Sequence, residues 1–122
     1  MTDFGLFGTT TETTLQPIDL ARWAEEAGFE SVFVGEHSPI PVSRESPFPL
    51  GGDLPDYYSH FFDPFIGLAA AAAVTERVRL GTGVVLVPEH NPIHLAKQAA
   101  CLDYVSGGRL LLGIGAGWNA EE

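Results

Sequence analysis

Positive charge is scarce in this sequence. Its 122 residues include six lysines and arginines against sixteen aspartates and glutamates, which gives a net charge of −10. Such a surplus of negative charge repels polyanions, so we expect neither nucleic acid nor an anionic membrane surface as a partner. An anionic cofactor is still compatible with this charge where a helix N-terminus or local cations offset the negative field.

Cysteines and long apolar runs are scarce too. Cys101 is the single cysteine, so the chain has no internal disulfide framework, which is typical of an intracellular protein. The longest apolar run, residues 66–74, is mostly alanine and is much shorter than the roughly 20 residues that a membrane span needs. The N-terminal MTDFGLFG carries an aspartate where a secretory signal carries positive charge. We therefore expect a soluble, cytoplasmic protein.

Apolar strand-like segments alternate with helical ones along the chain. Pro17 fits the first position of a helix that Gly28 ends, and the pairs Asp63-Pro64 and Asn91-Pro92 have the cap-then-proline pattern of two further helix starts. The predicted strands lie at residues 3–8, 31–35, 77–87 and 109–115, and the predicted helices at 17–27, 64–75 and 92–105. This alternation predicts an α/β fold in which a parallel sheet has its helices outside.

Two architectures share this order of elements, the open doubly wound sheet and the (β/α)8 barrel. The glycine-rich string GIGAGW at residues 113–118 resembles a dinucleotide-binding fingerprint. That fingerprint would follow the first strand and open a helix, whereas this string follows the fourth strand and matches only GxGxG. The better interpretation is a set of glycines that admits a ligand or a close backbone at a strand end.

A long irregular stretch separates the second strand from the second helix. Residues 36–62 are rich in proline, glycine, serine and aromatics, and a loop of this length in a compact domain is usually functional. We interpret it as an active-site loop. Five aromatics in and just after it either wall a planar ring or simply pack beneath the loop: Tyr57, Tyr58, Phe61, Phe62 and Phe65.

Three stretches in register carry a resemblance to a known family: ARWAEEAGFESVFVGEH (21–37), TERVRLGTGV (75–84) and NP..LAKQ...LD..SGGRL.LG.G.GW (91–118). With them the chain resembles the N-terminal half of the bacterial-luciferase-like oxidoreductases, particularly the branch that uses the deazaflavin coenzyme F420 in place of FMN. The resemblance covers essentially the whole chain. It implies that residues 1–122 form half of a TIM (β/α)8 barrel, with four parallel strands and three helices.

Such barrels take roughly 250 residues, so the resemblance implies that about half of the fold lies outside this sequence. We expect a fragment of a longer protein. Residues 1–122 alone would leave the first and fourth strands with bare edges and uncovered apolar faces. We therefore expect them to be unstable as a monomer, and a cooperative melt of a monodisperse monomer would contradict this.

The carboxyl ends of barrel strands hold the reactive residues, which selects residues 8–14, 36–38, 87–91 and 116–119. Within them, Glu36 and His37 are the predicted catalytic pair. The resemblance places His37 against the flavin and substrate, and Glu36 near the ring. A histidine, with an unperturbed pKa of roughly 6.5, can exchange a proton at neutral pH while a hydride moves. Both side chains reach one pocket only if the strand has ended by Glu36, and the alternative is an exposed acid beside a loop histidine.

The resemblance also implies a cofactor-binding wall. It places a non-proline cis peptide at Gly83–Val84, in a bulge behind the ring. Glu36 and two glycines of the string at residues 113–118, Gly115 and Gly117, are predicted to bind the cofactor as well. Gly83 is alternatively only a kink in a buried strand. Glu89 and His90 repeat the Glu-His pair of the second strand end, but we predict no metal site, because metal-dependent barrel hydrolases typically carry a His-x-His pair on the first strand and DFGLFGTT has none.

The resemblance implies an oxidoreductase that transfers hydride between F420 and an organic small molecule. The alternatives left open are an FMN-dependent monooxygenase of the same fold and a half barrel without catalytic activity. Family members dimerise through their second and third helices, so a homodimer is expected. The alternative role for those helices is packing against the barrel of their own chain.

Overall fold

The structure is a computed structural model and describes residues 2–122. Within that range the chain forms three α-helices, six short strands and two 3-10 helices. The strands are β1 (Gly5–Gly8), β2 (Ser31–Val34), β3 (Arg79–Thr82), β4 (Val85–Leu86), β5 (Leu110–Leu111) and β6 (Ile114–Gly115). The α-helices are α1 (Pro17–Ala27), α2 (Pro64–Ala72) and α3 (Pro92–Ser106), and the 3-10 helices are Asp56–His60 and Val87–Glu89.

Four strands form one parallel sheet in the order β1-β2-β3-β5. Leu6, Val32, Leu80 and Leu110 lie side by side across it. The predicted α/β class, with four parallel strands and three helices from the first part of a (β/α)8 barrel, is therefore confirmed. None of the helices in the described range combines the length and apolar character that crossing a membrane demands.

The predicted continuous strands at 77–87 and 109–115 are wrong in one respect, because both are interrupted. The Thr82 hydroxyl donates to the Gly113 carbonyl at 2.7 Å and accepts from the Gly113 N–H at 2.9 Å, so a side chain bonds across the interruption, where the same carbonyl also accepts from the Val85 N–H at 2.9 Å. Beyond this point β4 and β6 resume as a separate parallel pair. The Gly83–Val84 peptide in the interruption is cis, as the resemblance implied.

The three helices begin where the local signals predict. The Asp63 carboxylate accepts from the Ile66 N–H at 2.8 Å, and the Asn91 side chain accepts from the Ile93 N–H at 3.0 Å. Gly28 ends α1 with a φ of 83°, in the left-handed region that glycine adopts without strain. Helix α2 ends at Ala72 rather than at about Thr75.

The early end of α2 has a physical cause in the turn that follows it. The Glu25 carboxylate binds the backbone N–H groups of residues 76, 77 and 78 at 2.6 to 3.2 Å. The Arg109 guanidinium donates to the Ala72 carbonyl at 2.9 Å and to the Thr75 hydroxyl at 2.8 Å. Side chains from other elements thus bind the groups that another helical turn would have used.

The core lies between the helices and one face of the sheet. It includes Leu20 of α1, Leu68 of α2, Leu102 of α3 and, from the strands, Val32 and Leu80, all of them buried. The carboxyl ends of the strands therefore meet at one edge of a rigid layer. This edge holds the candidate site.

Candidate active site at the carboxyl ends of the strands

An open cleft of about 410 Å³ lies at the carboxyl ends of the strands. The six residues predicted for catalysis and cofactor binding all line it: Glu36, His37, Gly83, Val84, Gly115 and Gly117. Because β2 ends at Val34, Glu36 and His37 lie beyond the strand and both reach the cleft, as their prediction required. The structure thus brings the predicted residues together, and their chemical roles stay predictions.

Glu36 is a buried carboxylate, 3% exposed, that supports the cleft from beneath. It accepts a hydrogen bond from the Leu86 N–H at 2.6 Å and lies 2.8 Å from His90 Nε2. The Ser38 hydroxyl donates to it at 3.3 Å. Its partners are thus groups around the cleft and not its sequence neighbour His37, so the two predicted catalytic residues belong to separate hydrogen-bonded pairs.

His37 is held by a carboxylate that the sequence analysis did not select. Its Nδ1 lies 2.8 Å from Glu122 Oε1 and 3.0 Å from Glu122 Oε2. The His37 side chain is 10% exposed and that of Glu122 only 2%. Glu122 lies three residues beyond the predicted segment 116–119, and the signal available in the sequence was the pair of acidic residues, Glu121 and Glu122, that follows the fourth strand end.

Aromatic rings surround His37 on the cleft side. The ring centroids of Tyr58, Phe61 and Trp118 lie 5.0, 5.5 and 5.9 Å from that of the imidazole. Burial and the neighbouring Tyr57 raise the pKa of Tyr58 above its ordinary value. Phe65, in contrast, is buried in the helical core, so the five aromatics of the sequence do not form one wall.

Part of the cleft wall is made largely of backbone, because glycines occupy it. A Cβ at Gly115 would collide with the Val84 side chain, and one at Gly83 would lie 3.3 Å from Phe33. Gly117 has a φ of 81°, which a side chain would strain. A flat ring can therefore lie against this surface, and the residues present fit a flavin-type cofactor.

A third carboxyl group completes the site. Burial, followed by the charges of Glu122 and Glu36, raises the pKa of Glu89 to about 7, although His90 opposes the shift. Glu89 Oε2 is buried without a hydrogen-bond partner among the described residues. Within residues 2–122, no group of three or more histidine, cysteine, aspartate or glutamate side chains is arranged to hold a metal ion.

The long loop predicted at residues 36–62 is fastened on two sides of the cleft. Its end pairs with the segment after β1, where the Phe62 N–H donates to the Thr10 carbonyl at 3.2 Å. Its middle is held by the segment after β6, where Glu121 accepts from the Ser46 N–H at 2.7 Å and from the Ser43 hydroxyl. The loop is therefore anchored beside the cleft.

The sequence profile of the family described as "Luciferase-like monooxygenase" matches residues 2–122. Two solved structures have a similar fold. One is the FMN-bound oxygenating component of 3,6-diketocamphane monooxygenase from Pseudomonas putida, with a TM-score of 0.74 and 23% identity over 98% of this chain and 30% of that one. The other is the F420-dependent tetrahydromethanopterin reductase of Methanopyrus kandleri, with a TM-score of 0.68 and 25% identity over 94% of this chain and 27% of that one.

Proteins of similar sequence support the same family. An uncharacterized protein of Mycobacterium tuberculosis is 47% identical over 98% of this chain and 43% of its own length. The 4-hydroxyprotoasukamycin monooxygenase of Streptomyces nodosus subsp. asukaensis is 38% identical over 82% of this chain and 23% of its own length. The chain spans less than half the length of either relative. On its matching profile, its fold and these relatives, the chain belongs to the luciferase-like monooxygenase family.

Proposed function

We propose that the full-length protein transfers hydride between the deazaflavin F420 and an organic small molecule. Enzymes of this family are oxidoreductases and monooxygenases that act on small molecules. The observation that carries the proposal is the position of His37, which faces a glycine-walled cleft while its Nδ1 is fixed by a buried carboxylate. A proton carrier beside a flat surface is what hydride transfer to or from an organic substrate requires.

The residues of this chain would act as follows. F420, when bound, supplies a ring carbon that accepts or releases a hydride. Gly83, Val84 and Gly115 present a backbone surface on which the ring can lie, and Glu36 fixes the floor by binding the Leu86 N–H. His37 exchanges a proton with the substrate through Nε2, because Nδ1 is engaged by Glu122. The aromatic rings around His37 keep water from its flanks.

FMN with oxygen is the second candidate, and the relatives favour it. The oxygenase component of a flavin-dependent trigonelline monooxygenase from Acinetobacter baylyi is 34% identical over 105 residues. The P. putida structure contains FMN. The same glycine wall would take either ring, because glycines offer no side chains that could distinguish the ring atoms in which the two cofactors differ.

Cofactor titration separates the two candidates. Purified full-length protein is titrated with F420 and with FMN, and absorbance and fluorescence changes are followed together with oxygen consumption. Tight F420 binding without oxygen consumption supports the proposal. Tight FMN binding with substrate-dependent oxygen consumption overturns it in favour of the second candidate.

The role of His37 is tested in the same protein. His37→Gln should lower kcat by about 100-fold or more, because a positioned acid or base contributes roughly that much, while circular dichroism stays unchanged. The matched control is His94→Gln, since His94 is an exposed histidine on α3, away from the cleft. Equal turnover by the two variants would contradict the role assigned to His37.

We also propose that the protein is a homodimer in which α2 and α3 form the interface. These helices contact one another, and their outer surface carries apolar side chains that are largely exposed: Ile66 is 73%, Ile93 76% and Val105 66% exposed. Exposed apolar residues of this kind are typical of a protein interface. The resemblance implied the same pair of helices.

A further inference from the structure

The two residues of each Glu-His dipeptide do not hydrogen-bond to each other in the fold. Glu36 pairs with His90, and His37 pairs with Glu122, which lies 85 residues away. The remaining acid, Glu89, is the only member of the two dipeptides without such a partner among the described residues. The carboxylate that faces His37 is therefore supplied by the segment after β6, and a second acid lies beside it.

The geometry at His37 determines which ring nitrogen can do chemistry. Both oxygens of Glu122 lie within hydrogen-bond distance of Nδ1, and an ionised carboxylate can only accept. Nδ1 must then carry a hydrogen, and Nε2 is the nitrogen left to exchange a proton. A buried carboxylate that orients a histidine in this way also stabilises the imidazolium when Nε2 is protonated.

Glu89 is a second carboxyl group next to the pair formed by His37 and Glu122. Two carboxyl groups in contact cannot both ionise without repulsion, and sharing one proton relieves it. A protonated Glu89 would donate to Glu122 and so satisfy its own buried oxygen, which otherwise has no partner among residues 2–122. The other titratable groups around the cluster are Glu36 and His90 next to Glu89, and Tyr58 against His37.

We propose that Glu122 is a positioning residue that keeps the Nδ1–H tautomer of His37, and that Glu89 holds the proton shared with Glu122. The inference rests on the proposed function, because both residues act through His37. When His37 donates, the N–H bond at Nε2 breaks, a bond from that proton to the substrate forms, and Nδ1 keeps its hydrogen, which stays hydrogen-bonded to the Glu122 carboxylate. In the reverse direction Nε2 accepts the proton, and Glu122 stabilises the resulting positive charge.

The first test needs no cofactor. Side-chain ¹⁵N chemical shifts of labelled full-length protein report which nitrogen of each neutral histidine carries the hydrogen, and the His37 signals are identified by their loss in His37→Gln. We expect the Nδ1–H tautomer in the wild type and in the surface control Glu76→Gln, and loss of that preference in Glu122→Gln. A wild-type ring in the Nε2–H form, or a Glu122→Gln spectrum identical to that of the wild type, would overturn the inference.

The second test uses turnover and pH. Glu122→Gln should lower kcat by about 100-fold with little change in KM, because orientation and charge at the reacting step are lost while substrate contacts are kept. Glu122→Asp should recover part of kcat. Glutamine at position 89 cannot ionise, so Glu89→Gln should shift the pH dependence of kcat relative to that of the wild type, and a pH profile identical to that of the wild type would contradict the assignment of Glu89.

The two sets of measurements separate the two proposals. Full-length protein that turns over neither F420 nor FMN would refute the proposed function, and the tautomer of His37 would still decide the role of Glu122. Active protein in which Glu122→Gln changes neither the tautomer nor kcat would refute the positioning role alone. Should Glu122→Gln fail to fold, the wild-type tautomer and the kcat of Glu122→Asp decide the question.

Discussion

Glu89→Gln should make the full-length protein more stable at alkaline pH. The folded chain raises the pKa of Glu89 from 4.5 to about 7, first through burial and then through the charges of Glu122 and Glu36. A difference of this size between folded and unfolded chains corresponds to about 3 kcal/mol. The figure is an upper value, because the charges of the cluster readjust together.

Proton binding determines how the effect of Glu89 on the free energy of unfolding changes with pH. The folded chain binds the Glu89 proton more tightly than the unfolded chain does, so the stabilisation is complete below pH 4.5 and is lost as pH rises through about 7. Above that pH the wild type buries an unfavourable charge that glutamine lacks. The variant should therefore gain up to about 3 kcal/mol over the wild type at pH 8 and less than about 1 kcal/mol at pH 5.

Urea unfolding at pH 5 and pH 8, followed by circular dichroism and tryptophan fluorescence, measures this difference if the slope with urea is unchanged. Glu76→Gln is the matched control, because Glu76 is an exposed glutamate at the opposite ends of the strands. A Glu89→Gln effect that is the same at both pH values would refute the reasoning. It would mean that the carboxyl group of Glu89 does not titrate near pH 7.

Two further predictions concern stability and assembly. Glu25→Gln should lower the free energy of unfolding by about 2 kcal/mol at pH 7, because the carboxylate binds three backbone N–H groups of residues 76–78. Burial raises the pKa of Glu25, but these hydrogen bonds outweigh burial and lower the pKa overall, so the loss should shrink as the pH falls below 4.5. Urea unfolding at pH 4 and pH 7 measures the two losses. Ile66→Lys should convert a dimer of the full-length protein to a monomer in sedimentation velocity, and an unchanged dimer would place the interface elsewhere.

Local signals in the sequence predict most of the fold. Asp63-Pro64 and Asn91-Pro92 mark helix starts because a cap and the residues it binds are neighbours in sequence. The interruption of the third and fourth strands was not predictable in this way. It depends on the Thr82 hydroxyl bonding Gly113, 31 residues further on, and a strand pattern contains no record of such a contact.

The candidate site, too, has a part that sequence rules predict and a part that they do not. The rule that barrel chemistry follows the strand ends limits the candidates to four segments, one of which holds Glu36 and His37, because the order of elements fixes where the strands end. It does not reveal which acid meets which base. The sequence analysis selected Glu36 and His37 as one catalytic pair, whereas in the structure Glu36 lies against His90 and His37 lies against Glu122.

Glu121 and Glu122, two consecutive residues after β6, connect the loop beside the cleft with His37, the predicted proton carrier. Glu121 binds Ser43 and the Ser46 N–H of that loop, and Glu122 binds His37. A chimera that imports residues 38–60 from a relative therefore has to import residues 119–122 with them. A library built for new substrates should likewise vary the two segments as one block, because the foreign loop would otherwise meet an anchor shaped for a different sequence.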